Sequence, residues 1–189
     1  MHALNGNTPT DHQLVEQVLR GDTRAFAVII QHTEGLVAQI IFGMVRHAED
    51  RKDLVQDVYL KAFKYLPGFR FQSKLSTWMA RIAYNTCVNY LDKKQLLPLP
   101  EGSEAELPED ETATAALSRK QLHDILQAGI ARLPPLYQTL ITLFHQQECS
   151  YEEIGQITGL PEGTVKNYLF RARKALRDNL LLQYKKDAL

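Results

Sequence analysis

This sequence predicts an all-α protein: two small helical domains joined by a flexible acidic linker. Three observations predict it. Apolar residues recur at three- and four-residue spacing along most of the chain, and no run alternates apolar with polar as a half-exposed strand does. Helix-start signatures stand in front of the periodic stretches. One purely acidic, proline-containing stretch interrupts the periodicity near the middle.

Taken in order, Thr10 and Gln13 form a capping box before a first helix. Gly21-Asp22 ends that helix, and Asp22 caps a second that carries Phe26, Ile29 and Ile30. A third helix runs from about Glu49 to Leu66 and stops at Pro67-Gly68. The short loop Phe69-Arg70-Phe71-Gln72-Ser73 follows, then a helix from about Leu75 to Lys93. From Gln95 to Thr114 stand Pro98, Pro100, Pro108 and Gly102, which read as a linker. Fully extended, its roughly 20 residues reach at most about 70 Å. Helical periodicity returns near Ser118. The expected organisation is a helical domain over 8–95, the linker over 96–117 and a second helical domain over 118–186. In that second half Pro134-Pro135 opens a helix. Ser150 and Glu153 form another capping box, for a short helix from Tyr151 to about Thr158. Gly159 closes the turn and Pro161 begins a long final helix.

Composition narrows the function. Hydrophobic residues make up 44% and charged residues 23%, as in ordinary folded proteins. No apolar run approaches the roughly 20 residues that cross a bilayer, and Met1–Pro9 lacks a signal-peptide pattern. A cytoplasmic location is the expectation. Cys87 and Cys149 are expected to be buried thiols, and no Cys/His spacing suits a metal. No cofactor is expected. The net charge of zero conceals an asymmetry. Residues 96–117 hold six acids and no base, whereas residues 162–186 hold seven bases against two acids.

A short helix, a glycine turn and a long helix make the helix-turn-helix pattern of DNA-binding proteins. Projected at helical pitch, Val165, Leu169, Ala172 and Leu176 of the long helix face inward. Gly163, Lys166, Asn167, Phe170, Arg171, Lys174 and Arg177 face out. Lys or Arg matches guanine and Asn matches adenine in the major groove, and Phe170 either touches a thymine methyl or shields the contact. Lys174 and Arg177, further along, suit phosphates.

In the first half, the helix after Glu49 buries Leu54, Val58, Ala62 and Tyr65. It presents Asp53, Gln56, Asp57, Leu60 and Lys64 on the other side, a face that suits a protein partner. The helix from Leu75 buries Leu75, Trp78, Met79, Ile82 and Thr86. Beside them runs a seam of Lys74, Thr77, Arg81, Asn85, Val88 and Asp92, next to the aromatic and basic loop. Aromatics beside bases at a domain edge can hold unstacked or flipped nucleobases.

These residues resemble a known family. The run from Asp53 to Ala62, the pair Phe69-Arg70 and the run from Ser76 to Thr86 are similar to region 2 of extracytoplasmic-function sigma factors. Ser150-Tyr151-Glu152-Glu153-Ile154-Gly155 and the run from Gly163 to Leu176 are similar to their region 4. The likeness covers about Asp11 to Leu181. It implies that Asp53, Gln56, Asp57 and Leu60 dock on core RNA polymerase. Lys61, Phe69, Arg70, Lys74, Thr77, Arg81 and Asn85 would then hold the melted −10 element of promoter DNA. Gly163, Thr164, Lys166, Asn167, Phe170, Arg171, Arg173 and Lys174 would read the duplex −35 element. The acidic linker would thread through the polymerase, and an anti-sigma factor, membrane-bound or not, would cover both domains. The loop departs from the family at Phe71, where a small residue or glycine is common, and at Lys74. The family's −10 base preference therefore does not transfer directly.

Two other classes compete. A helix-turn-helix regulator shares the second half but needs a receiver or ligand-binding domain, and the first half has no strand–helix alternation. An enzyme needs a catalytic motif, and no Walker loop, GxSxG or HExxH occurs. His123 and His145 fall in separate helices. No small-molecule substrate is implied.

Overall fold

The computed structural model describes residues 9–96 and 119–187, which form eight α-helices with no strand among them. Helix α1 (Asp11–Leu19) starts on the expected capping box: the Gln13 amide donates to the Thr10 hydroxyl at 3.3 Å and the Thr10 amide to the Gln13 side chain at 2.9 Å. Asp22 accepts the Arg24 amide at 2.9 Å and launches α2 (Thr23–Met44). By length and composition α2 could cross a membrane, contrary to the sequence expectation. In the fold it is the spine of a bundle. Ala25, Ile29, Thr33, Val37, Ile40, Ile41 and Met44 are buried against α1 and its other neighbours, while Arg24, Gln31, His32, Glu34 and Gln39 face outward. The Thr33 hydroxyl satisfies itself on the Ile29 carbonyl at 2.7 Å.

Helix α3 (Ala48–Tyr65) buries Leu54, Val58 and Ala62. Tyr65, expected inside, is 54% exposed. The chain tightens there into a 3₁₀ turn, Leu66–Gly68, and the narrower turn brings Leu66 inward in its place. Helix α4 (Leu75–Leu96) runs three residues beyond the expected Lys93. Its C-terminal part is tied to the start of α3, where the Asp50 carboxylate accepts from Tyr90 and, at 3.1 Å, from Lys94. The rest of the acidic linker lies outside the described residues.

The second half comprises α5 (Arg119–Ala131), α6 (Pro135–Ile141), α7 (Tyr151–Thr158) and α8 (Glu162–Asp187), with a π turn at Thr142–Gln146. Pro135 occupies the first turn of α6, where its missing N–H costs nothing. Pro161 stands just before α8 rather than in it, and its carbonyl accepts the amides of Thr164 and Val165 at 2.8 and 3.0 Å.

One apolar cluster lies under α1 and holds Leu14, Val15, Ile29, Leu66, Phe69 and Leu75. The other runs without a break from Ile41, Val58 and Met79 to Leu140, Ile154 and Leu169. The two expected domains are therefore in contact: α7 packs on α4, and α6 on α2.

The turn from α7 to α8 brings two stretches of backbone close together. A Cβ on Gly155 would stand 2.9 Å from the Leu160 carbonyl oxygen, a backbone atom that cannot swing aside. Gly155→Ala should destabilise the protein by about 1–3 kcal/mol, as overpacking does. The midpoint of urea unfolding measures this, and an unchanged midpoint would show that the turn is not the constraint the geometry makes it.

Candidate nucleic-acid interface

The best-formed surface is built by α7 and α8. The Ser150 hydroxyl accepts the Glu153 amide at 3.1 Å while the Glu153 carboxylate accepts the Ser150 amide at 2.8 Å, which fixes the start of α7. Gly159 ends it in the left-handed conformation at φ 76°, where a Cβ is costly. Val165, Leu169 and Ala172 of α8 are fully buried against the rest of this half, and Leu176 is half-buried. That packing turns Gly163, Lys166, Asn167, Phe170, Arg171 and Lys174 outward, and Phe170 is 70% exposed. Lys166 is pre-oriented by Glu162 at 3.0 Å and by the Tyr151 ring at 5.3 Å. The Arg171 guanidinium lies 6.0 Å over the Tyr168 ring. Thr164 is half-buried beside them. Arg173 differs from its neighbours: it donates to His145 at 3.2 Å and stacks 5.0 Å from the Phe144 ring. Burial first, and then Arg173, lowers the His145 pKa, so the neutral ring accepts that bond.

The second surface is the loop between α3 and α4. A cleft of about 430 Å³ opens there, within the range of small-ligand sites. Arg70, Gln72, Ser73, Trp78 and Arg81 line it, with Gln156 reaching in from α7. Phe69, expected to face DNA, is only 7% exposed and packs 5.1 Å from Trp78. Trp78, expected as core, is half-buried and shared between core and cleft. Phe71 stands at φ 55°, a backbone outlier for a bulky residue that costs on the order of 1–3 kcal/mol and persists only where its surroundings impose it. Arg81 and Asn85 are exposed on α4. Lys61 is engaged by Asp57 at 2.7 Å and Thr86 at 3.2 Å.

Thr77, read from the sequence as part of an exposed seam, is only 5% exposed because α7 lies across it. Lys74, next to it, pairs with Glu153 of α7 at 2.8 Å. Gln147 adds a bond to Gln39 of α2 at 2.6 Å. The loop cleft and the first helix of the helix-turn-helix therefore face each other, which sequence periodicity had no means to signal.

A third surface lies on the outer side of α3. Asp53, Gln56 and Leu60 are exposed, Leu60 at 70%, and Asp57 is half-buried. Phe63, missed in the sequence, extends this stripe one turn further, and Phe42 of α2 is also exposed with Arg51 at 5.0 Å over its ring. Apolar residues at helical spacing read as core, so only burial reveals them as surface. Of the thiols, Cys87 is buried and pushed up to about 12 by desolvation, while Cys149, expected buried, is half-buried.

The chain is similar to known proteins along most of its length. Residues 29–96 match the family model of sigma-70 region 2, and residues 123–176 that of sigma-70 region 4. The RNA polymerase sigma-H factor of Pseudomonas aeruginosa is 33% identical over 88% of this chain and 91% of its own length. The ECF RNA polymerase sigma-E factor of Haemophilus influenzae is 33% identical over 90% of this chain and 95% of its own. Among solved structures, the Bartonella quintana sigma factor RpoE, in complex with the anti-sigma factor NepR, has the same fold: TM-score 0.65, 22% identity, 82% of this chain and 96% of that one covered.

Glu153 is held below the usual carboxylate range, first by its bond from Lys74 and then by the Ser150 amide, and Lys74 is held above the usual lysine range in return. The stabilisation from Glu153 is present above its ordinary pKa and is lost as pH falls through the lowered one. Lys74→Met should move the Glu153 titration upward, toward the ordinary value. Carbon-detected NMR of the carboxyl reads this directly, and an unmoved midpoint would mean that the pair does not form in solution.

Proposed function

The chain belongs to the sigma-70 family, and from that membership we propose how its surfaces share the work of starting transcription. It is an alternative sigma factor of the extracytoplasmic-function type. It binds core RNA polymerase, recognises the −10 and −35 promoter elements and promotes DNA melting. The open recognition face of α8 behind its glycine turn is the observation that best carries the site assignment.

In this reading α8 lies in the major groove of the −35 element. Lys166, Asn167 and Arg171 meet base edges, Phe170 meets a thymine methyl, and Gly163 and Thr164 allow close approach of the helix start. Lys174 and Arg177 meet phosphates. Arg173 supports the α6–α7 corner through His145 and Phe144 and touches DNA least. The cleft with Arg70, Trp78 and Arg81, continued by Asn85, receives unstacked bases of the −10 element. Buried Phe69 forms its floor. Asp53, Gln56, Asp57, Leu60 and Phe63 dock on the polymerase, supported by the exposure of two large apolar side chains among acids and an amide.

Residues 8–95 and 118–186 act as two separable units. With Thr77 covered and Lys74 engaged by Glu153, contact of both with the −10 strand requires α7 to leave α4. Polymerase then holds the units at the promoter spacing and raises the effective concentration of each for its element. The free protein, net neutral with short basic faces, binds DNA weakly. The chain supplies binding energy to a reaction that the polymerase catalyses in the cytoplasm. An anti-sigma factor is the natural antagonist, supported by the complex of the structurally similar Bartonella protein with NepR.

Run-off transcription with core polymerase tests these assignments. Arg171→Ala and Asn167→Ala should each lower transcription from a promoter with an intact −35 element by about 5- to 150-fold, the equivalent of one base contact. Asn85→Ala should instead reduce open-complex formation, read by permanganate footprinting. Leu60→Ala should weaken co-elution with core polymerase and leave the fold intact. Full activity of all four variants would remove the site assignments.

A further inference from the structure

The −10 loop is braced by a helix that lies outside the matched regions. Region 2 matches from residue 29, whereas α1 spans Asp11–Leu19. Two consecutive residues of its first turn hold the two sides of the loop. Asp11 accepts the Leu75 amide at 3.1 Å and so caps α4 from 64 residues away. His12 stacks on the exposed ring of Phe71, with centroids 4.4 Å apart and planes 16° from parallel. Phe71 in turn leans on Phe69 at 4.7 Å, and Phe69 on Trp78 at 5.1 Å. The capping box of α1, between Thr10 and Gln13, makes that first turn a fixed platform.

The backbone at Phe71 needs such a platform. It is in the left-handed region at φ 55°, where a bulky side chain relaxes away unless something holds it. Its immediate neighbours Arg70 and Gln72 both line the cleft. Where the Phe71 ring sits therefore sets where those two side chains point.

We propose that His12 is a positioning residue for −10 recognition: its ring clamps Phe71 and thereby holds the base-accepting cleft in the shape that sets its base preference. This rests on the assignment of the cleft to the −10 strand made above. His12 itself touches no base. The stack needs a flat ring and not a particular charge, so another aromatic should serve.

The test is transcription by core polymerase and the full chain on a promoter library with randomised −10 and fixed −35 elements, read by sequencing the transcripts. His12→Ala should flatten the −10 base preference by about two- to tenfold, the range to which an aromatic pair's contribution converts. His12→Phe should keep the wild-type preference. Phe71→Leu, which retains bulk without the stack, should reproduce His12→Ala and covers the case in which that variant fails to fold. Wild-type preference in both His12→Ala and Phe71→Leu, while Arg81→Ala alters it, would overturn the proposal and leave the cleft assignment standing. Equal loss in His12→Phe and His12→Ala would overturn it too, since stacking would then not be what matters. If Arg81→Ala also leaves the preference unchanged, the cleft assignment falls and this inference with it.

Discussion

The architecture turns on one constraint: α4 must be covered by three helices and still leave a polar strip open to solvent. It packs against α2, α3 and α7. Met79, Ala80, Ala83, Thr86 and Cys87 are buried along it, and the two alanines bring the neighbouring backbones close. Arg81 and Asn85 remain on the narrow strip left open. Because that strip is bounded by the loop after α3 on one side and by α7 on the other, every change in how α7 sits alters the exposed edge of α4.

The Glu153 carboxylate makes this coupling concrete. One oxygen closes the capping box that starts the helix-turn-helix, and the other reaches Lys74, just before α4. A group that stabilises a local element and a long-range contact cannot be altered for one without the other. The same economy appears in α1, where Asp11 and His12 serve a loop sixty residues distant rather than their own helix.

Much of the fold was legible in the sequence because its signals are local. The capping boxes at Thr10 and Ser150, the Asp22 cap, the glycine turn at Gly159 and the bounds of α7 act over a few residues and appear as expected. The outward face of α8 was legible too, since a helix pinned by Val165, Leu169 and Ala172 has only one way to present Asn167 and Phe170. Where the helix changes pitch, the projection fails: the 3₁₀ turn puts Leu66 inside and Tyr65 out. Aromatics defeat it for another reason. Phe69, Phe71 and Trp78 all read as core or as loop by type, and only their mutual packing assigns one to the floor, one to the rim and one to both.

The sequence by itself determined most of the helices, their caps and, through its motifs, the family. These depend on dihedral preferences, side chains a few residues apart and chain order, all of which are written along the chain. Only the tertiary structure decided that the halves share an apolar cluster, that α7 covers Thr77, that Phe63 joins Leu60 at the surface, and that α1 grips the loop after α3. Those facts depend on which surfaces meet after the chain has turned back on itself. No period within a helix encodes what will lie against it.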